Sequence, residues 1–502
     1  MKKIETLAKV HSQSELVIGL VGAVGTELKK VSEIIEERLK AFQYKCEEIR
    51  ISHNIIKSLM KVRYNTNDEY QRISKYMDSG NKARKISEDN AILALGAASL
   101  INYKRTSKSG YQERKQMPRQ AYIIRSLKHP EEVQILRQIY SVGFYLIGVF
   151  SDEKRRIEYL TQDHGINRDK AREIIQRDED ENIDYGQRTR DTFHLSDFFV
   201  HADGQEEKLK KNIWRILDII FGHPYKTPTF DEFAMFMAFT ATLRSCDLSR
   251  QVGAVIGNNN EILTTGANDC PQYGGGLYWP EYNSEKSEII DVDKGRDYTR
   301  GCDCNTSEKK KIVENITSNL LDKGLCSDPN SIKEVLNRSL IKDITEYGRM
   351  VHAEMEALLS CARNHISCRN ATLYCTTFPC HNCTKHIIAA GIIRVVYVEP
   401  YPKSKSEEFH NDSIQLGFGK SEKKVKFEPF VGVGPRRFFD LFSINLGSGY
   451  ALVRKDQDGK IIKWDPARAA LRIQLIPNSY LERENEATNK YNIRRRLIHE
   501  KG

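Results

Sequence analysis

Two short segments, His352-Ala353-Glu354 and Pro379-Cys380-His381-Asn382-Cys383, constrain this 502-residue chain more than any other feature. A neutral imidazole and two thiolates suit Zn²⁺, and three protein ligands leave the fourth tetrahedral position for water. Metal binding lowers the pKa of that water towards neutrality. Glu354, two residues from His352, then reads as a proton carrier and not as a ligand. His352, Cys380 and Cys383 are thus the expected zinc ligands, and Glu354 the expected acid–base residue. A purely structural zinc would need a fourth side chain, for which His381 or His386 would have to serve. Cys361, Cys368 and Cys375 read as small buried thiols.

The flanking sequence predicts elements that would hold such a site. Residues 371–377 are rich in strand formers, and residues 380–390 read as a helix with Pro379 at its start and Gly391 at its stop. Residues 392–398 form a second apolar run, which gives a βαβ unit. Cys380 and Cys383 then lie one turn apart at a helix N-terminus, where free N–H groups favour thiolates. Residues 352–364 predict a second helix that starts at the metal. Upstream, residues 249–266 read as a hairpin turned by Asn258-Asn259-Asn260 and followed by Asn268.

H-x-E…P-C-x-x-C behind such a hairpin resembles the zinc-dependent cytidine and deoxycytidylate deaminases. The resemblance implies an α/β/α domain with a mixed sheet. It also implies hydroxide on zinc directed at cytosine C4, proton transfer by Glu354 to N3 and to the departing ammonia, and a sugar contact from Asn268.

The N-terminal half is of another kind. Residues 16–24 are apolar, too short to span a bilayer, and lead into a glycine-rich turn that carries Gly19, Gly22, Gly25 and Thr26. A turn of this sort between strand and helix can surround a phosphate with backbone N–H groups, so these four residues are candidate nucleotide contacts. Strands are predicted near residues 46–51, 119–125, 145–150 and 197–200, in a doubly wound α/β pattern. The layout resembles the P-loop kinase fold. A Walker A motif, however, requires Gly-Lys-Ser/Thr where this chain has Glu27-Leu28-Lys29, which argues against phosphoryl transfer and for nucleotide sensing or assembly. The basic stretch 104–119 admits a solvated loop or a phosphate or RNA contact.

The domain reading is therefore a degenerate P-loop kinase-like domain at 1–204 and a connecting helix and linker at 205–228. A zinc-dependent deaminase domain follows at 229–445, with an insertion at about 271–345, and then a C-terminal hairpin and basic tail at 446–502, the tail mobile or used for docking. Cys302 and Cys304, in the insertion, could hold a second metal, but no matching pair lies nearby in sequence. Lys403, Arg436 and Arg437 are candidate phosphate contacts. A net charge of +10 permits phosphate-bearing ligands without requiring them. Eleven cysteines without a secretory signal suggest reduced thiols, a cytoplasmic setting and no membrane association.

Together the two halves resemble the bacterial anti-phage deoxycytidylate (dCTP) deaminases. The resemblance implies conversion of dCMP or dCTP to the deoxyuridine nucleotide, which drains dCTP during infection. It further implies a homo-oligomer restrained by a small RNA or by a regulatory nucleotide at the N-terminal domain. Two other readings remain at this point. A polynucleotide deaminase would use the same zinc site but would want an aromatic-lined channel for a single strand. A nucleotide- or RNA-sensing regulator would carry a vestigial deaminase domain.

Overall fold

The computed structural model describes residues 13–63, 68–109, 116–179, 181, 185–344, 346–399, 404–418, 423–475 and 477–501. It comprises two compact units, Met1–Glu232 together with Val431–Gly502, and Phe233–Phe430.

The first unit is built on five parallel strands: β1 (Leu16–Val21), β2 (Lys45–Arg50), β3 (Gln120–Arg125), β4 (Phe144–Phe150) and β5 (Phe198–His201). Their order is β5-β4-β1-β3-β2, and the short strand Gly432–Val433 adds antiparallel to β5. β1, β3, β4 and β5 are largely apolar because both faces are covered, while the edge strand β2 buries only Ile49. Leu16, Ile18, Leu20, Ile123 and Ile147 enter one core, shared with the helices Leu28–Ala41 and Glu206–Ile220. Val17, Val21, Tyr122, Ile124 and Leu146 enter the other, shared with Ile92–Ser109 and Pro130–Tyr140.

Several expectations for this unit are corrected. Residues 431–445, assigned from sequence to the second domain, fold with the first through the Gly432–Val433 pairing. The C-terminal tail is a helix, Pro477–Lys501, whose Tyr480, Ala487, Tyr491 and Ile498 complete a core of the first unit. Within residues 450–464 the expected hairpin is short: one antiparallel bridge, Lys455 with Ile461, flanked by the Asp456 N–H to Lys460 carbonyl and Ile462 N–H to Arg454 carbonyl bonds. Three cations of the basic stretch 104–119 are structural. Lys104 pairs with Glu47, Arg105 is fully buried between Glu15 and Glu484, and Arg119 donates to the Phe42 and Ala467 carbonyls. Arg114 and Lys115 lie outside the described residues, as does Lys403. Arg437 is buried against Asp197 and the Phe144 carbonyl, which removes it as a phosphate contact.

The second unit holds a mixed sheet. The hairpin β6 (Gly253–Asn258) and β7 (Glu261–Ala267) turns on Asn259 and Asn260, both at positive φ, which asparagine tolerates better than other side chains. The insertion follows, with a small hairpin, β8 (Glu281–Asn283) and β9 (Glu288–Ile290), and the helices Cys304–Asp322 and Pro329–Arg338. The sheet is completed by β10 (Thr372–Thr377), β11 (Arg394–Glu399), β12 (Ile414–Leu416) and β13 (Val425–Pro429), in the order β12-β13-β11-β10-β6-β7. β10 runs antiparallel to β6 and parallel to β11. Helices Ala353–Arg363 and His381–Ala389 share a core with Ala254, Ile256, Leu373, Val395 and Phe427 of this sheet.

Among the described residues, no helix is long and apolar enough to cross a membrane.

Candidate functional site

Two helix N-termini bring the metal-ligating side chains together. β10 ends at Thr377, the chain turns through Phe378 and Pro379, and Cys380 becomes the N-cap of the helix His381–Ala389. Its Sγ accepts from the Cys383 N–H at 3.5 Å, a bond that holds both sulfurs on one side of the first turn. His352 is the N-cap residue of the helix Ala353–Arg363. Its Nδ1 lies 3.4 Å from Cys380 Sγ and 3.3 Å from Cys383 Sγ. A tetrahedral ion with bonds of about 2.3 Å to sulfur and 2.0 Å to nitrogen separates such atoms by roughly 3.5 Å. The donor set therefore fits Zn²⁺ in both chemistry and spacing.

The bond to Cys383 and the adjacent imidazole hold the Cys380 thiol down to about 4, while the bond to Cys380 and burial push Cys383 well above its ordinary range. The sulfur of Cys380 likewise draws the His352 imidazole up to about 9, against the effect of burial. Without an ion the trio thus pairs one thiolate with an imidazolium and a neutral thiol, and a metal ion would take the place of the protons on His352 and Cys383. Glu354 is 5% exposed, and burial pushes its carboxyl upward while His352 opposes the shift. A carboxyl raised in this way is suited to carry a proton.

A cavity of about 290 Å³ opens on these groups and is lined by His352, Glu354, Cys380, Asn268, Asp247 and Phe378. Asn268 is buried, with its amide spanning the loop before β6. Oδ1 accepts from the Val252 N–H at 2.7 Å, and Nδ2 donates to the Arg250 carbonyl at 2.9 Å. Asp247, which sequence reasoning missed, accepts from the Ser249 and Arg250 N–H groups and shapes the same loop. An Asp two residues before a Ser was the available signal for that turn.

The insertion supplies Asp297, Asp303 and Asn305 to the cavity wall. It is fastened to the rest of the unit by ion pairs from Arg296 to Asp269 and from Arg349 to Asp297. No local motif announced these three residues, because chain distance hides what the ion pairs bring together.

Among the described residues, His352, Cys380 and Cys383 are the one His/Cys/Asp/Glu group close enough to share an ion. Cys302 and Cys304 therefore gain no partners for a second metal there. The four glycine-turn candidates divide. Gly19 lies inside β1, where an added Cβ would come 2.8 Å from Leu127 and Phe144, so it serves core packing and not a ligand. Gly22, Gly25 and Thr26 line a separate cavity of about 590 Å³ in the first unit.

Residues 228–399 match the family model of the cytidine and deoxycytidylate deaminase zinc-binding region. Deoxycytidylate deaminase of Enterobacteria phage T4 is 30% identical over 169 residues, covering 34% of this chain and 77% of the phage protein. Deoxycytidylate deaminase of Saccharomyces cerevisiae is 27% identical over 224 residues, covering 43% of this chain and 54% of the yeast protein. The solved dCMP deaminase of cyanophage S-TIM5, in complex with dCMP and dUMP, is 19% identical with a TM-score of 0.23, covering 41% of this chain and 100% of that one. The matched stretch contains both halves of the metal-ligating motif, and the phage relative is covered over more than two thirds of its length: the chain belongs to the cytidine and deoxycytidylate deaminase family.

Proposed function

We propose that this enzyme hydrolyses the exocyclic amine of deoxycytidine nucleotides, dCMP or dCTP, to give the deoxyuridine nucleotide and ammonia. The observation that carries the reading is the meeting of His352, Cys380 and Cys383 beside a buried Glu354 on the wall of a cavity of about 290 Å³. His352, Cys380 and Cys383 would hold Zn²⁺, which when bound would supply an acidified water for the attack. Glu354 accepts the proton of that water, gives it to N3 of the base, and then protonates the departing amine. Asn268 holds the 250–252 loop against the sugar end of the cavity, where its carboxamide also serves the sugar. Asp303 and Asn305 of the insertion add polar side chains to the cavity wall that a nucleotide would meet.

The wider reading is a cytoplasmic, homo-oligomeric enzyme that drains dCTP in anti-phage defence and is restrained by a small RNA or a nucleotide effector. It rests on the resemblance of most of the chain to enzymes of that kind.

The test is ammonia release and uracil product from zinc-loaded protein offered dCMP, dCTP, CTP, deoxycytidine and single-stranded DNA in parallel. Turnover confined to dCMP and dCTP is the expected outcome, and their ratio names the substrate. Turnover of the DNA alone would make the enzyme a polynucleotide deaminase. Silence on all five, with zinc bound, would favour a sensor with a vestigial site.

A further inference from the structure

We propose that the cavity beside the glycine turn of the first unit binds a phosphate-bearing organic molecule of nucleotide size, through arginines and not through the turn itself. The inference rests on a different site from the deaminase reading and is independent of it.

The cavity measures about 590 Å³, within the range of small-molecule sites, and opens at the carboxyl ends of β1, β2 and β3, where parallel sheets place ligands. Arg50 and Arg125 are the last residues of neighbouring strands and sit opposite each other in register. Both line the cavity, and both lean on one carboxylate, Glu48, at 3.8 Å and 3.0 Å. Two guanidinium groups sharing one carboxylate leave positive charge for an anion. Burial, and then the charge of Arg50, bear against the Arg125 cation, a strain that a bound phosphate would relieve.

Arg84, on the same wall, is already committed to Glu132 at 2.9 Å and to Asn81 at 3.2 Å. Tyr76, Met77 and Leu160 provide an apolar wall for the organic part of the ligand.

The turn is already engaged. Asp178 Oδ2 accepts from the Val24 N–H at 2.7 Å and from Lys128 Nζ at 2.8 Å, while the same lysine donates to the Gly22 carbonyl at 2.7 Å. A carboxylate of the chain thus stands where a phosphate would meet a P-loop, and the nearby lysine is committed to it. The site binds without phosphoryl transfer.

The experiment is calorimetric titration of the full zinc-loaded chain with dTTP, ATP, the two parent nucleosides and pyrophosphate. At least one nucleotide should bind saturably at one site per chain and persist in Cys380→Ser, which disables the metal centre. Its nucleoside and pyrophosphate should bind far more weakly. The double variant Arg50→Gln/Arg125→Gln should weaken the nucleotide roughly tenfold or more, as expected for lost charge-assisted bonds. Should that variant fail to fold, phenylglyoxal modification of the wild-type chain reads the same contact, with Arg50 protected by nucleotide. Absence of binding, pyrophosphate binding as tight as any nucleotide, or binding indifferent to both arginines without protection of Arg50 would each overturn the proposal.

Discussion

Gly266 of β7 lies so close to Ala353 that a Cβ built on it would fall 2.2 Å from the Ala353 carbonyl oxygen and 2.6 Å from the Ala357 nitrogen. Only a residue without a side chain lets the strand approach the first turn of the helix that starts at His352 and carries Glu354. Gly266→Ala should push that turn away, with a cost of about 1–3 kcal/mol in stability from overpacking. Zinc content and kcat should fall together; a variant with normal metal and normal turnover would contradict this account of the contact.

Glu354→Gln keeps the shape of the side chain and removes its capacity to take a proton. Metal content should stay at one ion per chain while kcat drops by roughly 10²–10⁴-fold. Metal analysis alongside turnover distinguishes a lost proton carrier from a collapsed site.

Asn268 satisfies two backbone groups of the loop that borders the cavity. Asn268→Ala should lower stability by about 1–3 kcal/mol, the cost of leaving buried partners unmet. It should also raise KM. Asn268→Asp keeps the acceptor for Val252 but loses the donor to Arg250, so its KM should lie between the two.

Arg105 is fully buried and joins Glu15, at the start of the first strand, to Glu484 of the C-terminal helix. Arg105→Met would leave two buried carboxylates without their cation, a loss of about 3–5 kcal/mol. Limited proteolysis should then cut within residues 477–501 well before it does in the wild type, while the metal content stays unchanged.

His129 caps the helix Pro130–Tyr140 and is 1% exposed. Burial, reinforced by Arg84 and Arg188, holds its imidazole down to about 3, so it stays neutral in the fold. The unfolded chain takes up this proton near pH 6.5, so stability falls as the pH drops from about 6.5 towards 3, by at most about 1.4 kcal/mol per pH unit. Denaturant melts at pH 7 and pH 5 should show the loss. His129→Ser, which retains a capping acceptor, should flatten the dependence over that window.

The sequence alone determined the local chemistry of this protein. The spacing of His352, Glu354, Cys380 and Cys383 marks the residues proposed as metal ligands and proton carrier, and Asn259 and Asn260 specify the turn of the β6–β7 hairpin, because ligand type and backbone preference act over a few residues. Apolar runs likewise marked β1 and β4 of the first unit, since a parallel strand covered on both faces has no polar side to show. Tertiary structure decided what lies far apart in the chain. It carried Asp303 and Asn305 to the cavity through Arg296 and Arg349, and turned Gly19 from a candidate ligand contact into core packing. It drew the basic C-terminal tail into the first unit as a helix, because Glu484 meets Arg105 only once both are buried. It also gave the anion place on the glycine turn to Asp178, a residue more than 150 positions away whose partnership with Val24 no local pattern records.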